Sequence, residues 1–122
     1  MVASLAACSQ QGKGSSIHPI NNAPVGESAW VVTGQIEPDA DVWTVDVSRH
    51  FYGKPGYKDV VGPHDDYVVV SICSDTADLS KATSTQLALV KRDVISPKQL
   101  AKAKNGQYRS LLKCWKRLRY QA

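Results

Sequence analysis

The sequence predicts an α+β fold, a small antiparallel sheet with a C-terminal basic helix packed on it, and three observations point that way. Tyr67 to Cys73 is apolar on both parities, as a strand covered on both faces must be. Trp43, Val45 and Val47 alternate with Thr44, Asp46 and Ser48, the period of a half-buried strand. Tyr108, Leu111, Leu112, Trp115 and Leu118 recur at helical spacing in a segment crowded with lysine and arginine.

Taken in order, Ser9 to Ser28 is polar, rich in Ser, Gly, Asn and Gln and interrupted by Pro19 and Pro24, the composition of an extended tether. Ala29 to Ile36 holds Trp30, Val31, Val32 and Ile36 and is expected to be a strand, turned by Glu37-Pro38-Asp39 to pair with the strand around Trp43. Lys54-Pro55-Gly56 and Gly62-Pro63 punctuate the loop that leads into the central strand, and Tyr57 to Val61 adds a short edge strand. Thr85 to Asp93 fits either period and is taken as a strand. Ser96, Pro97 and Gln99 supply an N-cap, a first-turn proline and the far half of a capping box, so a short helix starts there and stops at Asn105-Gly106. The last helix then carries Leu111, Leu112, Trp115 and Leu118 onto the sheet.

Near the start, Leu5-Ala6-Ala7-Cys8 places two small residues before a cysteine. In this the chain resembles the bacterial envelope lipoproteins, whose lipobox has that pattern; the resemblance covers residues 5–8 and, loosely, the polar stretch after them. It implies cleavage before Cys8, a diacylglycerol on its thiol and a further acyl chain on its amine. Each buried methylene of such chains adds roughly 0.8 kcal/mol of membrane affinity. Ser9 after the cysteine is similar to the choice made by lipoproteins of the outer membrane. The implied organisation is a residual signal peptide at 1–7, a lipid-anchored tether at 8–28 and a single globular domain at 29–122, on the periplasmic face of the outer membrane. No stretch is long and apolar enough to span a bilayer, so attachment falls to the lipid or to a surface contact.

If Cys8 is acylated, the other two of the three cysteines, Cys73 and Cys114, remain as one pair. An oxidising periplasm would join them, closing a loop whose entropy is worth roughly 3–4 kcal/mol. Hydrophobic residues at 43% and charged residues at 21% otherwise describe an ordinary globular chain.

Charge is distributed unevenly. Residues 1–90 carry five basic against ten acidic side chains, whereas residues 91–122 carry ten basic against Asp93 alone. Such asymmetry marks an anionic partner: lipid headgroups, lipopolysaccharide, nucleic acid or an acidic protein surface. Arg109, Lys113, Lys116, Arg117 and Arg119 are the candidate contacts on the last segment. A second candidate is the loop Arg49 to Asp66, where Phe51, Tyr52 and Tyr57 stand among Gly and Pro, the mixture that binding hot spots favour.

Chemistry is poorly provided for. His64-Asp65-Asp66 and His50 lack further ligands at a recognisable spacing, and neither a nucleophile elbow nor a phosphate-binding glycine loop is legible. The expectation is therefore a binding protein, not an enzyme, without metal or cofactor. It acts either as a subunit of a secretion or conjugation machine or as an inhibitor or immunity protein, with an envelope protein as partner. An intracellular nucleic-acid binder using the basic C-terminal helix is the alternative, although no nucleic-acid-binding motif is present.

Overall fold

All eight residues of strand β3 (Tyr67–Ser74) are buried, and the rest of the molecule is layered around them. The structure, a computed structural model, describes residues 17–52 and 66–122. Beside β3 lies β4 (Ser84–Lys91), antiparallel and buried for seven of its eight residues. Strand β2 (Asp41–Asp46) pairs with β4 in parallel, and the two-residue strands β1 (His18–Pro19) and β5 (Tyr120–Gln121) extend the other side, giving the order β1-β5-β3-β4-β2. The architecture is α+β. The sheet is mixed, antiparallel at β3–β4 and β3–β5 and parallel at its two outer pairs.

Alternation along the strands divides two apolar layers. Val69, Ile72, Leu87 and Leu89 meet Ala29, Val32 and Ile36 on one face. Val68, Val70, Cys73, Ala88 and Val90 meet Ala103, Leu112 and Leu118 on the other. The register shifts between Val69 and Ser71, and this bulge lets Val68 and Val70 on one side of it and Cys73 on the other serve the same layer.

Helix α1 (Ala29–Gln35) occupies the segment expected as a strand. Trp30, Val31 and Val32 in a row do favour β structure locally. However, Ser28 caps the helix by accepting from the Val31 N–H at 3.2 Å, and Ala29, Val32 and Ile36 then fall on one side and are buried. The partner of β2 is consequently β4, and the pairing is parallel. Residues 17–28, expected as the second half of a tether, belong to the fold: Ile20 and Val25 are in the core. Gly26 donates to the Val69 carbonyl at 2.7 Å and Val69 donates back to Glu27 at 3.0 Å. Gly26 has φ +90°, and a Cβ there would lie 2.3 Å from Lys104 Cγ, so the close approach demands glycine.

The C-terminal helix expected from Tyr108 to Leu118 does not form. Helix α2 (Arg49–Tyr52) is a single turn, and α3 (Pro97–Lys104), with the capping box of Ser96 and Gln99, is the helix that packs on the second face. Beyond it come a 3-10 turn at Arg109–Leu111 and an irregular return. The reason is geometric: Cys114 is bonded to Cys73, and Gln121 is paired with the same Cys73 in the sheet. Both contacts draw the chain to one position of β3, and the Trp115 N–H, which a helix would give to the Leu111 carbonyl, goes instead to Gln86 Oε1 at 2.9 Å. Leu112 and Leu118 are buried in spite of this, pinned from opposite ends of the return. Gln121 Nε2 donates to the Arg109 and Leu112 carbonyls at 2.8 and 2.9 Å and holds the segment together.

The turn from β3 to β4 is tied by Asp75. Burial pushes its carboxyl pKa up, but hydrogen bonds donated by the Thr83 hydroxyl, the Thr83 N–H and the Ser84 N–H outweigh this and hold it below the ordinary value of 3.8. A carboxyl lowered on folding stabilises above its unfolded pKa, and that contribution is lost as pH falls through the folded value. Acid titration of stability below the ordinary value of 3.8 is thus expected to flatten in Asp75→Ala, which also costs about 1 kcal/mol at neutral pH for its lost hydrogen bonds. For the Cys73–Cys114 bridge, whose partners are 41 residues apart, Cys114→Ser is expected to cost roughly 4 kcal/mol in urea unfolding. Thiol titration of the denatured, unreduced protein should find neither Cys73 nor Cys114 free.

Candidate partner-binding surface

Gln86 of β4 stands on the second face between Trp43 of β2 and Cys73 of β3, its partners in register. Its Oε1 accepts the backbone N–H of Trp115 at 2.9 Å. The neighbouring Cys114 is held by the disulfide to Cys73. The returning chain is therefore fastened at two consecutive residues to two adjacent strands, and this fixes where the Trp115 ring goes. It lies edge-on to Trp43, with ring centroids 5.4 Å apart and planes at 70°, a favoured geometry for aromatic pairs. The Arg117 guanidinium sits 5.7 Å from the Trp115 ring centre, within cation–π range.

Both rings remain open to water: Trp43 is 53% exposed and Trp115 40%. Val45, two residues along β2 on the same face, is 45% exposed. The alternation around Trp43 correctly marked a strand but not a covered one, because β2 is the outermost strand among the described residues and Trp115 covers its Trp43 only in part. Lys113, Lys116, Arg117 and Arg119 are exposed around Trp115. None of the four is within 4.0 Å of a carboxylate among the described residues, where the ion pair is Lys91 with Asp93. The patch thus combines apolar rings with positive charge that no described carboxylate pairs with. Covering the open parts of the two rings would remove on the order of 200 Å² of apolar surface from water, about 5 kcal/mol before the costs of association.

The other residues singled out from the sequence are placed as follows. Arg109 is exposed, and its carbonyl accepts from Ser71 Oγ and Gln121 Nε2. Phe51 is half-buried and turned onto Tyr108, at 4.8 Å between ring centres, so it is a member of the second core layer and not an exposed anchor. The side chain of Tyr52 and the whole of Tyr57 lie outside the described residues, as do Cys8, His64, Asp65 and the edge strand expected at 57–61. His50 and Asp66 are exposed. Among the described residues no three His, Cys, Asp or Glu side chains gather as a metal site would require, and no helix is long and apolar enough to cross a membrane.

Sequence reasoning missed Trp43 as a surface residue and missed Trp30, which is 70% exposed on the outer side of α1. Only a strand order could have revealed the first, and only the Ser28 cap could have revealed the second. No protein-family model, curated protein or solved structure matches this chain.

Because Trp30, Trp43 and Trp115 are all substantially exposed in the single chain, tryptophan emission of the folded protein at high dilution is expected to be red-shifted and readily quenched by acrylamide. Trp30→Ala should leave stability within about 0.5 kcal/mol of the parent. An unquenchable, blue-shifted component would mean that one of the rings is covered.

Proposed function

We propose that this chain is a lipid-anchored envelope protein that acts by binding another protein, and that the Trp43–Trp115 surface with its basic rim is where the partner docks. The observation that carries the reading is the pair of exposed, mutually packed tryptophans beside Lys113, Lys116 and Arg117. Tryptophan and arginine are the residues on which binding energy concentrates, and a monomer gains nothing from leaving such rings in water. The uncompensated cations favour an acidic partner surface, which they would also attract at long range. Anchorage rests on the resemblance of Leu5-Ala6-Ala7-Cys8 to a lipobox and is supported by the Cys73–Cys114 bridge, since disulfides persist in oxidising compartments. Outer-membrane placement follows from Ser9 on the same resemblance. A machine subunit and an inhibitor or immunity protein both fit this description.

The nucleic-acid alternative draws on the same cations. Against it, Arg117 already stands over the Trp115 ring and Trp43 abuts that ring, whereas bases need an open ring face on which to stack.

Two measurements test the reading. Cells fed a clickable fatty acid are expected to label the protein, and Cys8→Ser to abolish the label and release it from the membrane fraction; an unlabelled parent contradicts the anchor. Replacing Lys113, Lys116 and Arg117 together by Gln is expected to weaken capture of the envelope partner at least about tenfold while leaving the fold intact, since exposed charges contribute little to stability. Capture by the parent protein should also fall as salt rises. Retention on DNA or RNA with no envelope partner would overturn the reading in favour of the alternative.

A further inference from the structure

The outer edge of β2, which no described strand covers, carries a pattern that fits itself. In a parallel ladder each residue donates and accepts on one side only, and successive residues face opposite edges. Asp41 donates to the Thr83 carbonyl at 3.0 Å and Val47 to the Leu89 carbonyl at 2.8 Å. Asp41, Trp43, Val45 and Val47 therefore serve β4, and Val42, Thr44 and Asp46 turn their N–H and C=O groups outward. Beyond them no described strand follows. Natural edges of this kind are usually blunted by lysine, proline or a bulge. Between Asp41 and Asp46 there is no lysine or proline, and the register with β4 is continuous.

The geometry points to a second copy of this chain as the occupant, its β2 antiparallel to the first about a two-fold axis at Thr44. Antiparallel pairing sets outward-facing residues opposite one another. With the axis at Thr44, the sequence Asp-Val-Trp-Thr-Val-Asp then places Thr44 against Thr44, Trp43 against Val45 twice and Val42 against Asp46 twice. Threonine pairs and aromatic to β-branched pairs are the favourable cross-strand combinations. Asp41 and Asp46 face opposite edges, so no antiparallel register can bring them together, and the obvious carboxylate clash is excluded by parity. Of the Asp46 carboxylate, Oδ1 accepts from the Ser48 N–H at 2.8 Å, while Oδ2 is buried with no hydrogen-bond partner among the described residues. The alternative axis at Trp43 sets indole against indole and each Val45 against an Asp41; it has as many valine–carboxylate pairs as the axis at Thr44 and differs in exchanging the threonine pair and both Trp43–Val45 pairs for one indole pair.

Pairing at Thr44 yields about six backbone hydrogen bonds. It covers Val42, Trp43 and Val45, which are 39%, 53% and 45% exposed, and joins two sheets into one. The two-fold axis stands perpendicular to the sheet, so both Trp115 rings emerge on the same side. The inference stands on β2 alone and does not depend on the anchor or on the identity of a further partner.

The test uses the full chain with Cys8→Ser, so that no intermolecular disulfide contributes, in sedimentation or light scattering over a wide concentration range. Twice the chain mass of 13.3 kDa is expected at high concentration. Thr44→Pro deletes the central outward N–H without touching the bonds to β4, and is expected to weaken self-association at least about tenfold with the circular dichroism spectrum retained. Val45→Glu, which sets a carboxylate against the electron-rich ring of Trp43 of the second copy, should do the same, and it stands as the readout should Thr44→Pro fail to fold. A protein that stays monomeric at every concentration, or a dimer indifferent to Val45→Glu, overturns the proposal. A monomer whose Val42 and Thr44 amides gain exchange protection only with another protein assigns the edge to a foreign strand, and overturns it equally.

Discussion

The bond between Cys73 and Cys114 joins the most buried strand of the protein to its most highly charged segment, and much of the surface follows from that junction. Cys73 lies in β3, between the two apolar layers, and has no freedom to move. Cys114 is therefore fixed against the sheet, Trp115 is handed to Gln86 and Trp43, and the basic residues around it are presented outward. The chain must then return to lay Gln121 beside the same cysteine. A cluster of positive charge that would otherwise repel itself into extended conformations is thus held on a rigid support, which lowers the entropy cost of binding.

How much of this was legible in the sequence depended on whether the deciding contact was local. The start of α3 at Ser96, Pro97 and Gln99 was readable because its hydrogen bonds join residues three apart. Strand β3 was readable because a run that is apolar on both parities needs cover on both faces. The 85–93 segment proved to be β4, ending at Lys91. By contrast, Trp30-Val31-Val32 reads as a strand until the Ser28 cap and the burial of Ala29, Val32 and Ile36 are known. The leucines and Trp115 of the last segment do repeat at helical spacing, but two long-range contacts at Cys73 override that preference. Polar residues 17–28 resembled a tether because their anchoring is mostly through backbone groups, which every sequence possesses.

The candidate surface divides in the same way. The cysteine pair and the basic residues from Arg109 to Arg119 were visible as composition, and the disulfide is formed. What composition could not supply was the meeting of Trp115 with Trp43, since it depends on β2 being the outermost strand and on the disulfide register. Phe51 shows the converse: an aromatic among turn residues suggested an anchor, yet Tyr108 claims it for the core.

The Trp115 surface depends on the disulfide that fixes Cys114 against the sheet, and selective reduction of the bridge tests that dependence most directly. Nuclear Overhauser contacts between the Trp43 and Trp115 rings, followed with amide exchange in β3 and β4 as reductant is added, report both halves of the claim. The result expected is loss of the ring contact together with partner capture while the β3–β4 amides stay protected. Persistence of the ring contact and of capture after full reduction would contradict it.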